Sequence, residues 1–282
     1  MIVFDGRLHD GDTVSFDVSD RGLTLADGLF ETMLAVDGRV FRRAAHLYRL
    51  LAGAEALTIP IARTRLEADL DLLLSTLPPG EAVVRLTLTR GPGARGLKRP
   101  AEARPTVLVG AAPWPREAVM RPIRLVTSAI RRNETSPTAR WKTLAYVDAV
   151  AALAEAEAAG ADDALLLNGR GDVACTTMAN VFAVDGDVLL TPQPDDGILA
   201  GTTRALVLAL AREIGMRTKE MSLSAPEFAA AEALFVTNAV RLVAPVAGLD
   251  RRHYVAPHPR VIEIADAGGA RIATECGRDP RA

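Results

Sequence analysis

The stretch Arg140-Trp141-Lys142-Thr143-Leu144-Ala145-Tyr146 holds the residue with the widest chemical reach. It follows a loop-like run from Arg131 to Ala139 that contains Asn133, Ser136 and Pro137, and it precedes an alanine-rich helix expected to run to about Ala159 and stop at Gly160. A lysine at such a junction, beside an aromatic ring and ahead of an apolar face, can be desolvated. Burial disfavours the ammonium form, lowers the pKa and makes the amine a nucleophile towards carbonyls. Taken alone, the stretch reads more simply as a solvated lysine at a helix start.

Other residues could handle anions. Gly201-Thr202-Thr203 opens a helix, where free backbone N–H groups and two hydroxyls at the positive end of the dipole suit a phosphate. A plain threonine cap is the simpler reading of that segment. Thr237-Asn238-Ala239 ends a strand with small polar groups and is a second candidate rim. Arg49 projects from a helix away from its leucine line, as an anion ligand or as a solvated arginine. Arg95 lies in the loop Gly91-Pro92-Gly93-Ala94-Arg95-Gly96, where flexible neighbours let a guanidinium reach a carboxylate or stay in water.

The elements that must position these groups follow from hydrophobic period. Short strands are expected at Ile2 to Phe4 and Thr13 to Val18, then at Leu29 to Val36, with a hairpin turn at Asp37-Gly38. Leu47, Leu50, Leu51, Ala54 and Leu57 fall at helical spacing, and a second helix from about Arg63 to Leu77 ends at Pro78-Pro79-Gly80. Glu81 to Arg90 and Thr106 to Ala111 are strands. Pro113, Pro115 and Pro122 interrupt the pattern, which places a linker at 114–122 between a small N-terminal α+β domain (1–113) and a larger α+β domain (123–282). Strands in runs and hairpins, rather than in strict alternation with helices, argue α+β over a doubly wound sheet.

Composition is that of an ordinary globular chain: 282 residues, 49% hydrophobic and 24% charged, with a formal net charge of −2. Basic residues are scattered, so neither nucleic acid nor a membrane surface is an expected partner. The two cysteines, Cys175 and Cys276, indicate no disulfide framework. His9, His46, His253 and His258 lack ligand spacing, so no metal is expected. Without an apolar leader or spanning run, a cytoplasmic location is expected.

Order along the chain adds what no single motif gives. Asp20-Arg21-Gly22, Asp27-Gly28-Leu29-Phe30-Glu31-Thr32, His46-Leu47-Tyr48-Arg49-Leu50, the Arg90 to Arg95 loop, Lys142, Asn180-Val181-Phe182, Gly201-Thr202-Thr203-Arg204 and Ala233 to Asn238 together resemble the class-IV aminotransferases, the two-domain fold-type IV pyridoxal-phosphate enzymes. The resemblance covers roughly Phe4 to Pro245. It implies pyridoxal 5'-phosphate as cofactor, a small-molecule amino substrate and a homodimer. It makes Lys142 the Schiff-base lysine and proton shuttle. Arg49, Thr202, Thr203, Asn238 and Ala239 would hold the phosphate, and Leu199 would press on the pyridine ring. Arg95 matches an arginine that binds the substrate carboxylate in D-amino-acid aminotransferases, and Glu31 and Tyr146 would line the pocket.

One departure stands out. Where most of that family has Val-Thr-Glu-Gly-Ser-Ser-Ser-Asn, this chain has Val173-Ala174-Cys175-Thr176-Thr177-Met178-Ala179-Asn180. The resemblance puts Cys175 where a glutamate faces the pyridine nitrogen, and a neutral thiol cannot supply that charge. Thr237 to Val246 and the loop Arg90 to Gly96 resemble the 4-amino-4-deoxychorismate lyase branch, whose pyruvate elimination is drawn forward by aromatisation and so asks less of the ring. That reading, with Arg95 and Arg241 holding two carboxylates, ranks first. An aminotransferase of D-amino or branched-chain amino acids comes next, and a cofactor-binding protein with little turnover last.

Overall fold

The computed structural model describes residues 1–282. Alternating apolar residues in the first half build one antiparallel sheet from β1 (Ile2–Phe4), β2 (Arg7–His9), β3 (Gly28–Val36), β4 (Arg39–Val40), β5 (Glu81–Thr89) and β6 (Val107–Pro113). Its order is β2-β1-β6-β5-β3-β4. One face carries Leu29, Met33, Val84, Leu86, Leu88 and Val109. These pack on Leu47 and Leu50 of α2 (Arg43–Ala56) and on Leu66 and Leu70 of α3 (Arg63–Leu74). The period of two turns Phe30, Thr32, Arg85 and Thr87 to the other face, where Phe30 lies opposite Thr87 and Thr32 opposite Arg85. Farther along that face, Leu34 and Val36 meet Leu206, Leu210 and Ile272 of the second half.

The second half contributes β7 (Ile123–Arg132), β8 (Asp163–Asn168), β9 (Val173–Thr176), β10 (Asn180–Asp185), β11 (Val188–Thr191), β12 (Arg217–Glu220), β13 (Ala233–Asn238), β14 (Leu242–Leu249) and β15 (Arg252–His253). The order is β12-β11-β10-β13-β14-β7-β8-β9, with β15 beside β14. β9 also returns to β10 through Cys175 opposite Asn180, which closes six of the strands into a barrel. α4 (Val147–Ala158), α5 (Thr202–Glu213) and α7 (Pro259–Cys276) pack on this sheet, and α6 (Ala225–Ala230) buries Phe228 in the core with Leu165, Val181 and Leu234. Parallel pairs (β7 with β8 and β14, β11 with β12) mix with antiparallel ones, in agreement with the α+β expectation.

Two local expectations need correction, and two elements were not foreseen. Thr13 to Val18 forms no strand, because its alternating apolar residues find no core: Val18 stays 78% exposed, and β1 pairs with Arg7–His9 instead. α4 begins at Val147 rather than directly after Lys142, since residues 141–146 are held against β3. β14 and α7 lie where the sequence offered no clear punctuation, yet both bury apolar residues on the barrel, Val261 and Ile264 among them. No helix is long and apolar enough to cross a membrane.

Candidate active site

Lys142 is delivered by a short bridge between the two halves. The Phe30 N–H donates to the Lys142 carbonyl at 2.9 Å, and the Leu144 N–H donates to the Gly28 carbonyl at 3.0 Å. A side chain on Gly28 would collide with the Leu88 carbonyl and a Leu144 methyl, so glycine is required for this approach. The Lys142 Nζ then lies 3.2 Å from the Tyr146 hydroxyl, to which it donates, and 4.1 Å from the centre of the Phe30 ring. Phe30 and Tyr146 meet edge to face at 5.2 Å. Desolvation by burial lowers the lysine pKa to about 8, helped by the nearby Arg49 and Arg85 guanidinium groups and opposed by Glu31. Roughly a tenth of the amine is therefore free base at pH 7, against a few parts in ten thousand for an ordinary lysine.

Beneath it lies a buried polar chain. Glu31 is 1% exposed and turned to the α2 side of β3. It accepts two bonds from Arg49, Nε at 2.7 Å and Nη2 at 2.6 Å, and lies 2.7 Å from His46 Nδ1. Burial pushes the Glu31 carboxyl up, but the bonds from His46 and Arg49 outweigh it and hold the group below the usual carboxylate range. Desolvation keeps His46 below its ordinary value despite Glu31, so the ring is neutral at pH 7. Its one proton then sits on Nδ1 facing Glu31, and bare Nε2 accepts from the Thr202 hydroxyl at 3.3 Å. Arg49 Nη1 also donates to the Ala200 carbonyl at 3.2 Å. The first sheet thus grips the entrance of α5. Glu31, expected to line the pocket, instead has its oxygens engaged and positions Arg49 and His46.

The entrance of α5 leaves its first backbone N–H groups without a side-chain cap, and Gly201 is the N-cap. A methyl on Gly201 would strike the Asn180 amide oxygen, and Asn180 Nδ2 in turn donates to the Leu199 carbonyl at 2.9 Å. Thr202 and Thr203 are buried in the first turn. Thr237, 1% exposed, lies on the β13 face shared with Phe235, which packs on Val207 and Leu208 of α5. Its Oγ1 is buried without a hydrogen-bond partner. Such a hydroxyl is costly unless a ligand satisfies it. The Asn238 carboxamide oxygen accepts from the Val240 and Arg241 N–H groups at 3.0 and 2.8 Å and folds the 238–241 turn beside it.

The remaining expected residues are placed less directly. Cys175 packs with Ala152, Ala156 and Leu166; burial raises its pKa, so it is a neutral thiol, and Arg132 is the nearest opposing influence. Arg241 is half-buried with one unpartnered nitrogen and makes no ion pair with the cluster. Arg95 is exposed and bonds to none of these groups, while its loop is tied elsewhere through Arg21, which donates to the carbonyls of Gly96, Leu97 and Lys98. The geometry therefore does not bring Arg95 to Lys142. Lys142 shares the Phe30 ring with Arg85 instead, an exposed arginine whose Cζ is 3.7 Å from the ring centre. Sequence reading missed Arg85 because an outward arginine on an alternating strand looks solvated. Its signal was its place between Val83 and Thr87 on the non-core face. His46, read as ordinary, proved to be the link to Thr202.

The amino-transferase class IV family matches residues 28–249. A putative branched-chain-amino-acid aminotransferase of Methanocaldococcus jannaschii is 35% identical over 257 residues, covering 89% of this chain and 88% of that protein. The crystal structure of 4-amino-4-deoxychorismate lyase from Pseudomonas aeruginosa superposes with a TM-score of 0.86 at 29% identity, over 98% of this chain and 99% of the other. A fold IV-transaminase from Curtobacterium pusillum gives 0.81 at 31% identity, over 96% and 92%.

Proposed function

The chain belongs to the amino-transferase class IV family of pyridoxal-phosphate-dependent enzymes, and from that premise we propose that it exchanges the amino group of an α-amino acid with a 2-oxo acid. The observation that carries this reading is the desolvated Lys142 amine, with a pKa of about 8, set beside an uncapped helix entrance and an unsatisfied buried hydroxyl at Thr237. These residues fit the coenzyme. Arg49, the first turn of α5 at Thr202 and Thr203, Thr237 and the backbone at Asn238 and Ala239 would hold its phosphate, Leu199 would lie against its ring, and Cys175 would meet the ring nitrogen. When bound, pyridoxal phosphate supplies an aldehyde that takes up the amino group and a ring that withdraws electrons.

The chain's own residues do the rest. With the coenzyme bound, Lys142 Nζ would take the proton from the amine-bearing carbon of the substrate and return it. Tyr146 orients that nitrogen through its hydroxyl, and the Phe30 and Tyr146 rings keep water from it. Glu31 and His46 keep Arg49 and Thr202 in place while the substrate changes. In a homodimer, the apolar stripe of α4 (Val147 80% exposed, Val150 67%) would be covered by the partner subunit.

Amino-group exchange is placed ahead of the lyase reading because, in sequence, the aminotransferase relative is the more similar, 35% against 27% for an aminodeoxychorismate lyase of Bacillus subtilis. The lyase stays the second reading on the likeness of the Arg90 to Gly96 loop and the Thr237 segment. Purified protein given the coenzyme is expected to gain a yellow band that borohydride fixes onto Lys142. Amino acids alone should bleach that band, and a 2-oxo acid should restore it. Pyruvate released from aminodeoxychorismate with no 2-oxo acid present would move the lyase to first place, and no reaction with either substrate would overturn both.

A further inference from the structure

Two loops of the second half bring the groups of the site together. The loop 133–141 leads from β7 to Lys142 and turns at Pro137–Arg140. The loop 192–201 leads from β11 to the first turn of α5 and turns at Pro194–Asp196. One guanidinium joins them. Arg132, the last residue of β7, donates from Nε to the Gly197 carbonyl at 2.9 Å and from Nη2 to the Ala139 carbonyl at 2.8 Å. Buried Ala139 stands three residues before Lys142, and Gly197 four residues before Gly201. Gly197 also has a φ of +82°, and a side chain there would lie 2.7 Å from the Glu134 Cα, so the two loops touch backbone to backbone. The other links between them are weaker. Arg140 meets Asp195 at 3.3 Å with both side chains exposed, and Arg170 meets Glu134 only at 3.5 Å.

Arg132 differs from Arg21 and Arg90, which share an acid, because both of its partners are backbone carbonyls on separate segments. It lies opposite Asn168, on the face of β7 and β8 that carries Ile130 and Leu166 towards Cys175. Burial raises the pKa of Tyr146 and of Cys175, and the Arg132 charge is the largest influence opposing it at both, which puts the guanidinium within electrostatic reach of the partner of Lys142. The far side of the α5 loop is fixed independently: fully buried Asp196 accepts from Arg170 and from the Ser222 hydroxyl, each at 2.7 Å. We propose that Arg132 is a positioning residue that sets the distance between the lysine loop and the α5 entrance, so that one rigid ligand can use both. A ligand with an aldehyde and a phosphate on one ring gains from its second contact only if the two receiving groups are held at the separation the ring spans. The inference rests on the coenzyme reading above and is indifferent to which reaction follows.

Three molecules separate the two contacts. Pyridoxal phosphate carries aldehyde and phosphate, pyridoxine phosphate has the phosphate without the aldehyde, and pyridoxal has the aldehyde without the phosphate. Binding to the coenzyme-free protein is read by fluorescence titration, and borohydride with peptide mass checks that both aldehydes attach at Lys142. Arg132→Met is expected to weaken pyridoxal phosphate about 30-fold and each single-contact molecule less than about threefold. Arg132→Lys keeps the charge but cannot span two carbonyls, so it should recover only a small part of the loss. Gly197→Ala, which wedges the loops apart at Glu134, should reproduce the selective loss, and it carries the test if far-ultraviolet dichroism shows that Arg132→Met does not fold. Equal losses for all three molecules would reduce Arg132 to a general structural residue and overturn the proposal. Unchanged affinity for pyridoxal phosphate, full recovery in Arg132→Lys, or a parent protein that binds pyridoxal phosphate no more tightly than the single-contact molecules would do the same. Failure of the exchange reading shows separately: a parent that binds pyridoxal phosphate tightly but is not bleached by amino acids loses that reaction and leaves Arg132 assigned.

Discussion

Two neighbouring parts of the first sheet use the same ingredients to opposite ends. At the foot of β3, Asp27 accepts from Arg21 at 2.8 Å and from Arg90 at 2.7 and 3.1 Å, and the remaining donors of both arginines find carbonyls: Leu57 and Thr58 for Arg90, Gly96 to Lys98 for Arg21. Four residues along, Arg49 and His46 occupy the Glu31 carboxylate, Lys142 and Arg85 share the Phe30 ring on the other side of the strand, and the Thr237 hydroxyl has no partner. The first group is closed and ties a loop to the sheet. The second is open: the buried Thr237 hydroxyl lacks a partner and Arg85 lacks an acid. Satisfaction, rather than residue type, separates scaffold from site.

The contrast can be tested by substitution, and the largest effect is expected at the open cluster. Lys142→Ala should lower the turnover rate by at least about 10³-fold while the protein stays folded. The same lysine makes a stability prediction. Its folded pKa of about 8 lies below the 10.5 of a free lysine, so between those values the unfolded chain binds more protons. Stability of the coenzyme-free protein should rise as pH climbs from 8 to 10.5, by roughly 3 kcal/mol at most, and Lys142→Met should flatten that rise in denaturant titrations.

In the closed group, Asp27→Asn strands two buried guanidinium groups and should cost about 3 kcal/mol of stability, with substrate binding by the folded fraction little altered. Burial raises the Asp27 pKa, but Arg90 and Arg21 hold it below the ordinary value, so the stability it lends is complete above pH 4 and fades as acid reaches the lowered pKa. If Asp27→Asn instead abolished carboxylate binding at unchanged stability, the distinction between the two groups would be lost. Glu31→Gln, which loosens Arg49, should weaken coenzyme affinity about 10- to 100-fold, read by fluorescence titration. The smallest change is expected from Cys175→Glu: a gain of order several-fold in exchange rate through a better-charged ring nitrogen. An unchanged rate would remove the thiol from that role.

Much of this was legible in the residues themselves. Period two in Leu29 to Val36 and Glu81 to Arg90 gave the strands of the first sheet, and leucines at helical spacing gave α2 and α3, because local burial enforces those periods. Lys142, Arg49 and the Gly201-Thr202-Thr203 entrance could be picked out by chemical type and by their order along the chain. The failures have a common cause: they depend on what a segment meets. Val14, Phe16 and Val18 alternate like a strand but found no sheet partner, while α7 needed the barrel beneath it to become a helix face.

By itself, then, the sequence determined which groups were available, an amine near aromatic rings, an uncapped helix entrance and arginines to spare, since side-chain chemistry and short-range periodicity are local properties. Only the tertiary structure decided how they were spent. Closing β3 against the Lys142 segment desolvated the amine, the register of β5 on β3 put Arg85 rather than Arg95 over Phe30, and the turn of Glu31 to the α2 side left that arginine without an acid. Distances across a sheet and the water excluded between two halves are set by packing, and no run of neighbouring letters encodes them.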